Sequence, residues 1–241
     1  MSKYQVTAGE VVYLLKAAGV ERPFMMEPGE FAAAGAKAVE PKGDGESLAL
    51  LAENLATPEI VVRVWRRDGR DEAVTSWFYW NGDSAVGFRQ TDGGSFELAE
   101  IAGEEAVLSA IEDLLAVRPV PADLDFYAVV QREDFMAVRD LADVWDQVPA
   151  LDIIQADGLD KVTAEELFDV AAEPEWRAQV NFSGIEDDGK LVERVARVAQ
   201  GATSAWMAVP VDEEIRQIRV ETVQEGEVPA LLKRYWDEVS G

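Results

Sequence analysis

Two stretches decide the predicted fold: Leu51-Ala-Glu-Asn-Leu-Ala56-Thr-Pro58-Glu59 and, 116 positions later, Leu167-Phe-Asp-Val-Ala-Ala172-Glu-Pro174-Glu175. Each is the tail of an apolar-periodic helix that breaks at a proline and enters a β-rich run. Three further matches follow in the same order in both halves: Asp68-Gly69 with Asp188-Gly189, Thr75-Ser76-Trp77 with Thr203-Ser204-Ala205-Trp206, and Gly103-Glu104 with Gly226-Glu227. Four matches in one order predict a duplicated helix–strands–helix unit.

The chain is therefore predicted to be a single domain of two pseudo-repeats, about residues 1–120 and 121–241, which meet near residues 118–123. The predicted fold class is α/β (α+β), with two superposable halves whose strands join one central, mostly antiparallel sheet. Period-2 runs predict strands at 60–65, 73–80, 84–89, 96–100, 176–182, 204–211 and 215–223, whereas 191–200 fits either a helix or a strand. One amphipathic helix is expected over 131–147, and Thr163 is expected to begin another through a capping box.

Composition excludes several kinds of chemistry. The chain has 22 basic and 47 acidic residues, a net charge of −25, which would repel nucleic acid and anionic membrane surfaces. It has no cysteine and no histidine, so thiolate chemistry, disulfides and the commonest metal ligand and general base are absent. No signal peptide or membrane-spanning run is evident. We expect a cytoplasmic protein that inserts into no membrane, needs no cofactor or metal, and is not an enzyme.

Acidic clusters are the remaining candidates for chemistry, and each has a simpler explanation. The pairs Asp187-Asp188, Glu213-Glu214 and Glu104-Glu105 stand in turns or at a helix start, where carboxylates are solvated or complement the helix dipole. Asp157, Asp160 and Glu165 are spaced somewhat as in a calcium loop. Such a loop would need oxygen ligands where Ile153 and Gln155 stand, and Glu165 falls one place late, so we reject it. No phosphate-binding loop or nucleophile elbow is present.

Aromatic and arginine side chains are the stronger signal. The run Trp77-Phe78-Tyr79-Trp80 puts aromatic rings on both faces of one strand, so both faces must be covered by helices or by a partner. Three arginines, Arg66, Arg67 and Arg70, lie in one predicted hairpin of an otherwise acidic chain. Arginine beside aromatic residues is typical of protein interfaces, although a solvated turn explains the same residues. Trp145 and Trp236 fall on helical stripes and are expected in the core.

The duplicated pattern resembles the EspG family of type VII (ESX) secretion chaperones. The resemblance rests on the helix that ends at Thr57-Pro58-Glu59, the strand from Ile60 to Trp65, the strand that carries Trp77, the turn at Gly82-Asp83, the strand ending at Ala99 and the closing helix with Leu114-Leu115. It implies a quasi-two-fold α/β protein with a central sheet flanked by helical bundles. It also implies that the chain binds helical secretion substrates, PE–PPE heterodimers or another WXG-type hairpin, in the cytosol.

The leading hypothesis is a non-enzymatic chaperone or adaptor, either a monomer or a weak homodimer. Its predicted partner site combines an apolar floor of Trp176, Phe182, Trp206 and Met207 with a basic rim of Arg66, Arg67 and Arg70. Two alternatives remain at this stage. An acidic inhibitor or immunity protein would use the net charge of −25 to bind a basic partner. A carboxylate-based enzyme is the third.

Overall fold

A computed structural model describes residues 3–31, 33, 35–42, 45–69, 71–82, 84–91, 95–119, 126–185, 189–212 and 216–240. Within these ranges the chain forms ten strands and seven helices. In chain order they are β1 (Lys3–Thr7), α1 (Ala8–Ala17), α2 (Gly45–Ala56), β2 (Ile60–Asp68), β3 (Val74–Asn81), β4 (Ser84–Thr91), β5 (Ser95–Ala102), α3 (Glu104–Leu115), β6 (Tyr127–Gln131), α4 (Arg132–Asp143), α5 (Gln147–Ala156), α6 (Lys161–Ala172), β7 (Trp176–Ile185), β8 (Leu191–Gln200), β9 (Ala205–Asp212), β10 (Gln217–Thr222) and α7 (Glu227–Val239).

All ten strands join one sheet in the order β1-β5-β4-β3-β2-β7-β8-β9-β10-β6. Every neighbouring pair is antiparallel. The centre of the sheet is the β2–β7 ladder, which runs from Ile60 opposite Gly184 to Asp68 opposite Trp176. The predicted class, a mixed α/β protein around a mostly antiparallel sheet, is confirmed.

The strand order reads the same from either edge when β1–β5 are matched in turn to β6–β10. At the centre, Val64 lies opposite Val180, 116 positions later, which is the separation between Pro58 and Pro174. Two positions are matched when the first is reached from Val64 of β2 and the second from Val180 of β7 by the same steps along and across the strands. The division into two pseudo-repeats remains a prediction.

The two faces of the sheet are covered differently. One face, the α3/α7 face, packs the alternate residues Ile60, Val62 and Val64 of β2 and Phe182 of β7 against α3 and α7 in a single core. The other, the bundle face, is covered by α1 and α2 in the first half. In its second half, α4, α5 and α6 form a bundle, and α6 packs on β8 and β9.

Several sequence-based element predictions were wrong or incomplete. The two edge strands β1 and β6 were not predicted, and residues 191–200 are the strand β8. The helix predicted over 131–147 ends at Asp143, because Trp145 adopts a left-handed φ of 60° and Pro149 fits only the first turn of a new helix, α5. Trp145 is therefore 52% exposed rather than core, whereas Trp236 is buried.

Two further local predictions need correction. Asp160, not Thr163, is the N-cap of α6: its carboxylate accepts hydrogen bonds from the amides of Val162 and Thr163. The match between Trp77 and Trp206 is also wrong, because Trp77 lies on β3 and Trp206 on β9, which occupies the place of β4. The sequence also predicts a short helix around residues 31–34, and this segment lies partly outside the described residues.

Candidate partner-binding groove

A recess of about 470 Å³ opens on the bundle face. We call it the central groove. Its floor is formed by strands β2, β7 and β8, and its wall by α4 and α6 of the second-half bundle. The floor residues include Arg63, Trp65, Arg177, Gln179, Asn181, Arg197 and Ala199, and the neighbouring strand β9 adds Trp206, Met207 and Ala208; the wall residues include Phe135, Val138, Arg139, Asp143, Leu167, Val170, Ala171 and Pro174.

The alternation of the floor strands explains the groove's mixed character. In β2 the apolar residues Ile60, Val62 and Val64 point to the α3/α7 face, which leaves Arg63 and Trp65 on the bundle face. The ladder sets Trp65 opposite Gln179 of β7, and Gln179 opposite Arg197 of β8. The floor is therefore polar and basic, whereas the wall is largely apolar.

Four arginines line the groove, and three of them have a carboxylate partner. Arg63 forms an ion pair with Glu30 and lies over the ring of Trp77, with 5.1 Å from its Cζ to the ring centroid. The Nη1 atom of Arg177 is 3.2 Å from Oδ1 of Asp143, and Nη2 of Arg139 is 2.7 Å from Oδ1 of Asp140.

Arg197 is the exception. It is half-buried, and no carboxylate of the described residues lies within salt-bridge distance of it. Burial lowers the pKa of the Arg197 guanidinium, and the nearby charges of Arg139 and Arg132 lower that pKa further. The local field therefore favours an anion.

The predicted basic rim does not stand free of the fold. Arg66 is half-buried on the α3/α7 face, where its Nη1 donates hydrogen bonds to the carbonyl oxygens of Leu114 and Leu115 at the end of α3. Its guanidinium also lies 4.7 Å from the ring centroid of Trp176. Arg67 donates from Nε to the carbonyl oxygen of Asp71 at 3.0 Å. Arg70 lies outside the described residues.

The four residues predicted as one apolar floor are buried, and of these only Trp206 and Met207 are among the residues that line the central groove. Trp176, Phe182 and Met207 pack in the α3/α7 core, with exposed fractions of 6%, 0% and 2%. Trp206 packs in the bundle-face core with Val170 and Ile218, next to the central groove. Helices α3 and α7 cover the first three because strand alternation directs them away from the bundle face. Partner binding by these residues and by the predicted rim remains a prediction.

Sequence reasoning named Trp206 and Met207 but missed most of the residues that line the groove, Trp65 and Arg197 above all. A signal was available at Arg197, a single charged residue inside the run Val195-Ala196-Arg197-Val198-Ala199. A charge flanked by apolar residues on a buried strand requires either a partner or an opening to solvent. The signal was lost because residues 191–200 also fit a helix, on which Arg197 would have been an ordinary surface residue.

Two features are absent from the described part of the chain, a cluster of metal ligands and a membrane-spanning helix. No group of three or more Asp and Glu residues there is arranged to hold a metal ion. Among the helices of that part, none combines the length and the apolar character needed to cross a membrane.

Comparison with known proteins supports the fold. No protein-family model matches the sequence, and no curated protein is similar to it. The structure is similar to the type VII secretion system chaperone EspG5 of Mycobacterium tuberculosis, solved in complex with the PE25–PPE41 dimer. The TM-score is 0.70 at 14% sequence identity, over 99% of this chain and 95% of that chain. The chain therefore has an EspG-like fold.

Proposed function

We propose that this chain is a non-enzymatic, cytosolic chaperone or adaptor that holds the tip of a helical type VII secretion substrate in the central groove. The partner would be a PE–PPE-type heterodimer or a WXG-type hairpin. The observation that carries the proposal is the groove itself, an apolar-walled recess with a half-buried tryptophan on its floor. The EspG-like fold supports it, because EspG5 is a chaperone solved with a PE25–PPE41 dimer.

The size of the groove suits side chains at the end of a helical hairpin. A volume of about 470 Å³ is in the range of ligand pockets. This volume is too small to enclose a whole helix, which is about 10 Å wide, but it can hold several apolar side chains that project from the tip of a hairpin. Burying these side chains against Val138, Leu167 and Val170 would supply affinity by desolvation. Arginines at the floor would fix the orientation of the tip.

The second candidate, an acidic inhibitor of a basic partner, rests on the net charge of −25. It would use a surface other than the central groove, because Arg63, Arg139, Arg177 and Arg197 give the groove the wrong sign for a basic partner.

The test compares two tryptophans of similar burial on opposite faces. Purified chain is titrated by calorimetry with the PE25–PPE41 dimer, and then with PE–PPE and WXG-type proteins from its own host. Trp65→Ala removes the aromatic residue from the groove floor, and we expect a loss of about 2 kcal/mol or more in binding free energy, as for a central interface tryptophan. Trp80→Ala is the control, because Trp80 packs on Trp236 at 5.2 Å on the α3/α7 face.

We expect Trp80→Ala to lower the free energy of unfolding and to leave the affinity within about twofold of wild type. Equal losses of affinity in the two variants would place the partner outside the groove. If no helical-hairpin protein binds, the chaperone proposal is wrong, and binding of a basic protein instead would favour the inhibitor.

A further inference from the structure

We propose that Arg197 is the receptor for a carboxylate carried by the partner's helical tip, so that the groove selects an acidic residue as well as apolar ones. The inference rests on the function proposed above and specifies the chemistry of its partner.

The position of Arg197 leaves its guanidinium available to a ligand. Arg197 lies on β8 in the floor of the central groove, between Gln179 of β7 and Ala208 of β9 in the ladder. Gln179 donates from Nε2 to Oδ1 of Asn181 at 2.9 Å, and its side chain carries no charge. Ala208 has no polar side chain. Neither neighbour neutralises the charge.

An unpaired guanidinium in a half-buried place is unfavourable for the free protein, because desolvation is not offset by a counter-charge. The lowered pKa of Arg197 has this origin, together with repulsion from Arg139 and Arg132. The other groove arginines differ, since Glu30, Asp143 and Asp140 hold them. An anion supplied from outside would remove the desolvation penalty and give a charge-assisted hydrogen bond.

A carboxylate on a protein fits the groove better than a phosphate or a nucleic acid. The planar guanidinium matches a carboxylate in bidentate geometry, and one negative charge suffices to neutralise it. Groups with more charge would meet Glu30 and Asp143 in the same part of the molecule and the net charge of −25 around it. The apolar wall next to Arg197 requires that the carboxylate arrive on an otherwise apolar segment.

The first experiment measures affinity for a heterodimer that binds the wild-type chain. We expect Arg197→Met to weaken binding roughly ten- to hundredfold, the range for a lost hydrogen bond to a charged group. Arg197→Lys keeps the charge but loses the planar fork of the guanidinium, so its affinity for the partner should lie between those of wild type and Arg197→Met. The matched control is Arg194→Gln on the same strand: Arg194 points to the other face and is paired with Glu238, so its loss should leave affinity unchanged.

The same variants separate a binding role from a structural one. Because no carboxylate of the described residues pairs with Arg197, Arg197→Met should leave the Tm unchanged or raise it, whereas Arg194→Gln loses an ion pair and should not raise it. A clear drop in Tm for Arg197→Met would show that the arginine stabilises the fold, and would overturn the inference.

Two further measurements identify the anion. Each acidic residue of the partner's tip is changed to its amide, alone and with Arg197→Met, and one of them should show coupling to Arg197. In parallel, the Nε–Hε NMR signal of Arg197 is followed in the free chain with the monocarboxylate butyrate and with inorganic phosphate, and it should shift saturably with butyrate. If the partner binds but no acidic residue couples to Arg197, the inference fails while the proposed function stands. If Arg197 responds to phosphate alone, a phosphate site replaces the carboxylate site.

Discussion

The first and second halves of the bundle face have the same strand pairing but carry different residues at matched positions. Trp77 is matched to Arg197, Tyr79 to Ala199, and Phe88 to Ala208. In the first half the three rings pack in sequence, with centroid distances of 6.1 Å from Trp77 to Tyr79 and 6.5 Å from Tyr79 to Phe88. Helices α1 and α2 close over them. In the second half two alanines and one arginine stand in their places, and the central groove remains open.

The difference shows how a groove can form without a change in topology. Each buried aromatic side chain removes about 150–250 Å² of surface from water, and in the first half three such rings fill the space beneath α1 and α2. Alanine leaves most of that space empty, and an arginine keeps it accessible to water and to ligands. We therefore expect the first half to contribute chiefly stability and the second half chiefly binding.

The largest expected effect is on folding and lies in the first half. Phe88→Ala removes a buried ring and should lower the free energy of unfolding by about 3–5 kcal/mol, measured by urea denaturation. The change at the matched position, Ala208→Gly, should cost about 1 kcal/mol or less. Similar costs at the two positions would contradict the division of roles between the halves.

The second prediction converts the groove into a copy of the first half. Ala199→Tyr places at the matched position the residue that the first half carries at Tyr79. Because Ala199 lines an open recess, the free energy of unfolding should change by less than about 1 kcal/mol. Partner affinity should fall at least about tenfold, because the ring would occupy the volume that the proposed partner's tip would fill.

Calorimetric titration with the heterodimer checks this expectation, and Leu50→Tyr serves as the control. Leu50 is 65% exposed on α2, outside the groove lining, so the same ring there should not alter affinity. Wild-type affinity in Ala199→Tyr would argue that the groove is not the binding surface.

The smallest expected effect concerns the matched helix starts. Thr7 caps α1 in a full capping box with Glu10, whereas the N-cap of α4, Gln131, makes no side-chain cap. Placing each residue type at the other position should therefore change the free energy of unfolding in opposite directions. Thr7→Gln should destabilise by about 1 kcal/mol and Gln131→Thr should stabilise by up to about 1 kcal/mol, both measured by thermal and urea unfolding.

The pH dependence of the same cap provides a check. Hydrogen bonds from the backbone amide and side chain of Thr7 lower the pKa of Glu10 below its ordinary value of 4.5. A carboxyl whose pKa is lower in the folded state stabilises the fold above the unfolded-state pKa, and this contribution is lost as the pH falls through the folded-state pKa. The stability difference between wild type and Glu10→Gln should thus be present at neutral pH and shrink below about pH 4.5. A difference that stays constant into acid would show that Glu10 acts through packing alone.

The sequence was most informative where local signals agree. Prolines 58 and 174 end helices before the two central strands, and glycines 103 and 226 precede α3 and α7 with φ of 84° and 82°. These local features identified the central strands and the closing helices. Edge strands β1 and β6 were not predicted, because each has only five residues and one buried position, too few for the alternation of a strand to be recognised.

The groove could not be predicted from local sequence patterns, because its residues come together only through strand pairing between distant parts of the chain. Arg63 and Arg197 lie 134 positions apart in sequence and share a floor only because β2, β7 and β8 are neighbours. Arg66 was misplaced for a related reason. Its neighbour Arg67 points to the opposite face, and alternation alone does not tell which arginine meets the end of α3.

The β2–β7 ladder has a consequence for any attempt to divide the molecule. It joins the halves along nine residue pairs, and the β2 side of this seam begins with the apolar run Ile60-Val61-Val62. A fragment that carried one half alone would expose this ladder as a long, unprotected sheet edge, a template for intermolecular pairing and aggregation. The two halves should therefore behave as complementary fragments, insoluble when expressed apart and soluble when refolded together, with the amide protons of the seam among the slowest to exchange with deuterium.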